Sequence, residues 1–382
     1  MKNKESMSNS QKSLVLISGY YGFGNLGDEA ILESIISELE KTVSKENIVV
    51  LSNDPERHRK IFGVAAVDRW KLASLVSLLP KAKLFISGGG GLFQDTNSPG
   101  STIYYGGQIA LARAFGAHPF IFAQGLGPLN SQTGKVATQL AAKLSKDVTV
   151  RDKASMAMLE KWNVKAELTA DPVWTLDETA LPDSVTKQID TVRSGKALFV
   201  GLSLRNSHNF SERRREILLS TLLKALPEDA ALVLLPLQKE QDLPQLEPFM
   251  KSWQKAGRKA LLLDVSALER PSQWVSLMRQ FDLVVAMRLH ALIFALKEGV
   301  PVMGLTYDAK VEHVLNQFGQ PILILPKEES DDELEQKWLD AASAGLQDLE
   351  KLRSQARENA QTAKKLACRN FQLLAKILDI KK

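Results

Sequence analysis

Short apolar runs alternate with helical patterns along most of the chain, and this alternation limits the fold more than any other feature. The runs "LVLISGYYG", "NIVVLSND", "KLFISGGGG", "PFIFAQGLGP", "VTVRD" and "AELTADPVW" each end in glycine or a polar residue and lead into a helical pattern. Continuously apolar strands separated by helices build a parallel sheet covered on both faces. After the polar, proline-containing stretch 176–196 the rhythm restarts with "ALFVGLSLR", "ALVLLPLQ", "ALLLDV", "DLVVAMRLH", "PVMGLTYDAK" and "PILILP". The pattern predicts two Rossmann-like doubly wound α/β domains, an N-terminal one over 13–176 and a C-terminal one over 196–330, joined by a linker at 177–195. Residues 331–382 read as helix only, with Leu366, Phe371, Leu374 and Leu378 at near-helical spacing. A length of 382 residues suits two cores.

Composition narrows the functional classes. Apolar residues make up 44% and charged residues 24%, and no apolar run reaches the ~18 residues of a membrane span. Residues 1–12 are polar and lack a secretory signal, so they read as a disordered leader and point to the cytoplasm. Lys364, Lys365, Arg369, Lys376, Lys381 and Lys382 suit either a solvated helix face, the favoured reading, or peripheral contact with the inner face of the cell membrane. Cys368 is the only cysteine, which excludes an intramolecular disulfide and a cysteine-cluster zinc site; its helix position suggests buried packing. The five histidines show no metal-binding spacing, so no metal is expected. A net charge of +5 suits an anionic substrate without identifying one, and no nucleic-acid partner is expected.

Gly22, Gly24 and Gly27 have the G-x-G-x-x-G spacing of a dinucleotide-binding loop. Asp28 and Glu29 follow immediately and place two carboxylates where a pyrophosphate would lie. Asp54, the candidate ribose partner, comes 32 residues after Gly22, where the fingerprint expects ~20. The NAD reading is therefore disfavoured. Two readings of the carboxylates stay open: stabilisation of the helix dipole, or acceptance of hydrogen bonds from sugar hydroxyls with Asp28 as a general base. Four glycines in "SGGGGLFQD" suggest close approach of a ligand to the backbone, whereas an ordinary turn explains "AQGLGP" equally well.

In the second half, Arg205, Arg288, His290 and Lys310 follow strands whose carboxyl ends share one edge of a parallel sheet. The segment "RLHALIFALKEG" also begins a helix, whose N-terminus adds backbone donors. Arginine forks, a lysine charge and a histidine proton together suit a phosphorylated anion.

The ordered set "GYYGFGNLGDEAIL", "ISGGGGLFQD", "AQGLGPL", "RD" at 151–152, "ADPVW", "GLSLR" and "AMRLHALIFALKEGVPVMGLTYDAKV" resembles the polysaccharide pyruvyl transferase family, particularly its bacterial CsaB-like branch, from about residue 14 to about 320. The resemblance implies a GT-B-like fold, with two Rossmann-like domains facing a cleft and C-terminal helices returning to the first. It implies transfer of the pyruvyl group of phosphoenolpyruvate to a sugar, giving a cyclic ketal and phosphate without a cofactor or metal. Matching positions assign the donor to Arg205, Arg288, the Leu289 backbone, His290, Lys310 and Arg151. The saccharide acceptor would lie near Gly24, Asn25, Asp28, Glu29, Gly89, Gly90, Gly91 and Asp95. For the CsaB-like branch the implied acceptor is a β-N-acetylmannosamine residue of a cell-wall precursor, lipid-linked. The implied chemistry has His290 protonating the donor, Arg288 and Lys310 assisting phosphate loss, and Asp28 accepting a hydroxyl proton. The rivals are a GT-B nucleotide-sugar glycosyltransferase using Asp308 on the ribose, and a non-catalytic protein binding an anionic metabolite.

Overall fold

The computed structural model describes residues 12–96, 98–193, 195, 197–306, 309–326 and 331–378. The chain divides into two compact units, Met1–Leu176 together with Ala363–Lys382, and Asp177–Thr362.

The first unit opens with β1 (Leu14–Ser18), α1 (Leu26–Leu39), β2 (Ile48–Ser52), α2 (Pro55–Phe62), β3 (Ala65–Asp68) and α3 (Leu72–Leu78). It continues with β4 (Ala82–Ser87), α4 (Gly100–Ala114), β5 (His118–Gln124), α5 (Gln132–Leu144), β6 (Asp147–Val150), α6 (Lys153–Lys161) and β7 (Glu167–Leu168). The strands run parallel in the order β3-β2-β1-β4-β5-β6-β7. Val15, Leu16 and Ile17 are fully buried although neighbouring side chains point to opposite faces, which explains the unbroken apolar run. Leu16, Phe85, Ile121 and Val148 join Phe93 and Ile109 in one core layer.

The second unit contains α7 (Asp183–Asp190), β8 (Phe199–Ser203), α8 (Glu212–Ala225), β9 (Ala231–Leu234), α9 (Lys239–Lys255), β10 (Ala260–Leu262) and α10 (Pro271–Met278). After these come β11 (Leu283–Ala286), α11 (Leu289–Lys297), β12 (Val302–Thr306), α12 (Ala309–Phe318), β13 (Ile322–Ile324) and α13 (Asp331–Gln347). Its parallel sheet has the order β10-β9-β8-β11-β12-β13, and Leu202, Leu234 and Val285 pack with Trp253 and Trp338 in its core. Strand order reverses between β1 and β4 in one sheet and between β8 and β11 in the other. Open parallel sheets bind ligands beyond the carboxyl ends of the strands at such reversals.

Residues 177–195 read as a linker because they are polar, yet they carry α7, where Val185 and Ile189 are buried one helical turn apart. Thr179 and Ser272 share a 2.9 Å hydroxyl hydrogen bond, and Arg279 donates to Glu178 at 2.6 Å. The last helix, α14 (Leu349–Ile377), crosses the division between the units, with Ala363 onward belonging to the first. Its inward face there is Ala363, Ala367, Asn370, Phe371 and Leu374. Asn370 accepts from Thr169 Oγ1 at 2.9 Å and donates to the Ala170 carbonyl at 3.0 Å, while Phe371 lies 5.3 Å from Phe122. Leu366, expected on the apolar face, is 38% exposed, and Cys368 is only half-buried, because alanines and Asn370 form the seam instead. Among the described residues no helix is long and apolar enough to cross a membrane. Residues 1–11 of the expected leader, and Lys381 and Lys382, lie outside the described residues.

Candidate functional site

The loop after β1 reaches the reversal point of the first sheet and enters α1 through Asn25, whose side chain accepts from the Gly27 N–H at 3.1 Å. Asp28 and Glu29 therefore occupy the first helical turn, as expected, but have different surroundings. Glu29 is buried; one oxygen accepts from the Gly22 N–H at 2.8 Å and the other meets His58 Nε2 at 2.7 Å. It is an internal strut tying the loop to α2, so neither oxygen is left open to an acceptor sugar. Gly22, at φ 82°, lies against the exit of β2, where a Cβ would overlap the Asp54 N–H and stand 2.7 Å from Ser52 Oγ. Asp54 caps α2 by accepting from Arg57 N at 3.1 Å. The glycine spacing thus serves a loop folded onto its neighbouring strand. Gly24, at φ 71°, is exposed and meets no atom within 4 Å, so backbone conformation alone favours glycine there.

The glycine run after β4 has a similar explanation. A Cβ on Gly88 would overlap the Tyr21 hydroxyl, one on Gly89 would stand 3.1 Å from Ile31, and one on Gly90 would stand 2.8 Å from Asp28 Oδ1. The close approach inferred from sequence is made, at these three positions, by the chain's own side chains. Gly90 has φ 105° and accepts through its carbonyl from Gly125 N at 2.8 Å. Gly91 is half-buried. Asp95 is buried and accepts from Asn130 N at 2.5 Å, Ser131 N at 2.8 Å and Ser131 Oγ at 2.6 Å. These bonds hold its carboxyl below the usual carboxylate range and commit it to fixing the turn after β5.

Asp28 is held differently from Glu29 and Asp95. Burial pushes its pKa up to about 7; the Arg151 guanidinium opposes that rise, and Glu29 and Asp171 reinforce it. Arg151 belongs to the first unit and forms an ion pair with Asp171, their side chains 13% and 6% exposed. Asp171 also accepts from Val173 N at 3.1 Å. Tyr21 is fully buried, and among the described residues its hydroxyl has no hydrogen-bond partner. Burial, followed by the charge of Asp28, holds that phenol well above its ordinary range.

In the second unit, Ser203 pairs with Ala286, so β8 and β11 release Arg205 and Arg288 from adjacent strands two residues beyond the same rung. Arg288 caps α11, and Leu289 and His290 form its first turn. Its Nε donates to both Asp242 oxygens at 3.2 and 3.0 Å, and Nη2 donates to Oδ1 at 2.5 Å. Asp242 is fully buried and also accepts from the Gln238 N–H at 2.8 Å. Among the described residues Arg288 Nη1 has no hydrogen-bond partner, so one edge of the fork is fixed and another is open. Arg205, Leu289, His290 and Lys310 are all partly exposed, and the His290 ring lies 6.3 Å from Phe294. Lys310 is in the first turn of α12; Asp308, the ribose candidate of the glycosyltransferase reading, lies outside the described residues.

The first edge can therefore exchange a proton near neutral pH, and the second can bind an anion. Sequence reading missed Asp171, Asp242 and Tyr21 as parts of these edges. Asp171 and Tyr21 stand inside quoted motifs, whereas nothing in "KEQDLPQ" marks Asp242. Among the described residues no group of three or more His, Cys, Asp and Glu side chains is placed to hold a metal ion.

A family model described as polysaccharide pyruvyl transferase matches residues 25–309. No curated protein matches the sequence significantly. Among solved structures, HepE of Anabaena, in complex with UDP and glucose, is similar with a TM-score of 0.58 and 16% identity, covering 96% of this chain and 99% of that one. A Listeria monocytogenes protein assigned as UDP-N-acetylglucosamine 2-epimerase gives 0.66 at 13% identity, covering 97% and 98%. A glycosyltransferase of Rickettsia africae gives 0.61 at 11% identity, covering 97% and 100%. These likenesses establish a GT-B-like fold of two parallel-sheet α/β domains.

Proposed function

Because the chain belongs to the polysaccharide pyruvyl transferase family, we propose that it moves the pyruvyl group of phosphoenolpyruvate onto a saccharide, forming a cyclic ketal and releasing phosphate. The observation that carries this reading is the cation set at the strand-order reversal of the second sheet, with Arg288 braced by Asp242 and Arg205 leaving the adjacent strand. Phosphoenolpyruvate joins a phosphate to a carboxylate, and each charge-assisted hydrogen bond to it is worth about 1.5–3 kcal/mol.

In this scheme Arg205, Arg288, Lys310 and the Leu289 N–H hold the donor, joined by Arg151 through its family match. His290 gives a proton to the donor methylene, making the methyl group and leaving C2 electron-poor. One sugar hydroxyl bonds to C2 and gives its proton to Asp28; the C2–O bond to phosphate then breaks, with Arg288 and Lys310 taking up the charge. A second hydroxyl closes the ring, and its proton leaves with the phosphate. The two hydroxyl protons thus balance one new C–H bond and one hydrogen phosphate. The acceptor of the CsaB-like reading is a lipid-linked β-N-acetylmannosamine residue handled at the inner face of the cell membrane.

The fold is also that of nucleotide-sugar enzymes, and a neighbour solved with UDP favours glycosyl transfer as the second reading. Thermal-shift titration with phosphoenolpyruvate, UDP-sugars and NAD in parallel separates the two. Stabilisation by phosphoenolpyruvate, weakened about 10- to 100-fold in Arg288→Lys, which keeps a charge against Asp242 but loses the fork, is the expected result. A response to UDP-sugars alone overturns the proposal.

A further inference from the structure

Four aromatic rings of the first unit surround one buried arginine and a fifth stacks on one of them, and the functional reading above uses none of the five. Arg69, at 6% exposure, donates from Nη1 to the Gly19 carbonyl at 2.7 Å and from Nη2 to Tyr105 Oη at 3.0 Å. Its guanidinium carbon lies 4.8 Å from the Tyr104 ring centre, 5.0 Å from Trp70, 5.2 Å from Phe23 and 5.4 Å from Tyr105. The fifth ring, Tyr20, stacks on Phe23 at 4.2 Å with 10° between the planes. A cation enclosed by the negative faces of several rings holds them in place, so the cluster is pre-ordered.

Its outer members remain in solvent. Trp70 is 62% exposed and Tyr20 is 43% exposed. Trp70 is fixed nonetheless: its indole N–H donates to Asn53 Oδ1 at 3.1 Å, its backbone N–H donates to Asp68 Oδ1 at 2.9 Å, and its ring sits 5.4 Å from Tyr104. Wide exposed rings held in one orientation, with amide and carboxylate oxygens at their rim, suit a ligand that has an apolar C–H face and hydroxyls at its edge. A pyranose ring has that combination, since its polarised C–H groups lie against the ring faces while its hydroxyls reach polar partners. Tyr20 and Phe23 also belong to the loop that leads into Asp28, at the strand-order reversal of this sheet.

We propose that Tyr20, Phe23 and Trp70 form an aromatic platform on which a pyranose ring of the saccharide acceptor stacks, with Asn53 and Asp68 at its polar rim. The choice of a saccharide rests on the transferase reading; the existence of a rigid platform does not. Arg69 acts from beneath as a positioning residue.

The test is saturation-transfer NMR on the full chain with methyl β-glycosides of N-acetylmannosamine, N-acetylglucosamine, galactose and glucose. Trp70→Ala and Tyr20→Ala are compared with Leu72→Ala, a nearby side chain that is 59% exposed. The expected result is ring-proton saturation by at least one glycoside that drops about fivefold in the Trp70 and Tyr20 variants and stays unchanged in Leu72→Ala. Equal saturation in Trp70→Ala overturns the platform, as does the absence of signal from every glycoside. Trp70-dependent binding to phosphatidylglycerol vesicles without saccharide binding also overturns it and makes the surface a lipid contact. Pyruvyl transfer with an unchanged acceptor KM in Trp70→Ala defeats the platform and leaves the transferase reading intact. Trp70-dependent saccharide binding without any response to phosphoenolpyruvate defeats the transferase reading and leaves the platform standing.

Discussion

Replacing Asp242 by asparagine tests whether the Arg288 fork is set by its buried partner. Oδ1 of Asp242 receives Arg288 Nη2 and Nε, while Oδ2 receives Nε and the Gln238 N–H. An asparagine has one oxygen and one NH2 group, so either orientation points a donor at a donor. The substitution also leaves the guanidinium, 13% exposed, without a counter-charge. Removing one partner of a buried pair costs about 3–5 kcal/mol, and the partial exposure of Arg288 places this case near the lower end, about 3 kcal/mol. For a unit of this size, at roughly 2–4 °C per kcal/mol, the second unit's transition falls by about 6–12 °C. Calorimetry reads that shift, and steady-state assays read its functional counterpart: KM for phosphoenolpyruvate rises about 10- to 100-fold while the acceptor KM stays fixed. Asp242→Glu, which keeps the charge, recovers part of both. A melting point within about 2 °C of wild type refutes the pairing energetics. A lowered melting point with an unchanged donor KM refutes the positioning role.

Two further predictions concern the first unit. Because burial raises Asp28 from 3.8 to about 7, its contribution is fully present below the unfolded value and is lost as pH rises to about 7, where the folded carboxyl finally ionises. Asp28→Asn therefore gains stability relative to wild type across that interval and plateaus above it, as measured by urea denaturation at several pH values; a flat difference contradicts the assignment. Transfer activity of the wild type rises through the same pH range and is lost in the variant. At Gly88, a Cβ would overlap Tyr21 Oη while the ring carbon Cζ lies 3.1 Å away, so Gly88→Ala costs about 1–3 kcal/mol alone and markedly less in a Tyr21→Phe background. Strict additivity in that double-mutant cycle, within about 0.5 kcal/mol, refutes the packing argument.

Both sheets were legible in the sequence because a strand buried on two faces must be apolar along its buried stretch, as Val15, Leu16 and Ile17 and as Leu283–Ala286 are. The glycine runs were legible as places of close approach, but a glycine does not say what approaches it. Here Tyr21, Ile31 and Asp28 do, from an adjacent loop and helix. Residues 177–195 misled through composition, since two buried side chains, Val185 and Ile189, are enough to anchor a short polar helix. Asp242 pairs with a residue 46 positions away and Glu29 with one 29 positions away, and no local periodicity marks such partners. The cations of the second edge could be picked out because each stands within four residues of the end of a strand. The brace of Arg288, Asp242, could not, because a carboxylate in a helix's first turn is as common in a plain cap as in a site.

The division of the chain also sets an order of assembly. The N-terminal unit includes Ala363–Lys382, and Asn370 and Phe371 cover the side of its sheet formed by Thr169, Ala170 and Phe122. During synthesis the ribosome must add the whole intervening unit first, a delay of roughly 10–40 s at about 5–20 residues per second. Throughout that interval Phe122 and the Ala170 carbonyl wait without their covering helix. The unit translated first is thus the last to be completed, and a nascent chain released before α14 emerges leaves that seam open to other apolar surfaces.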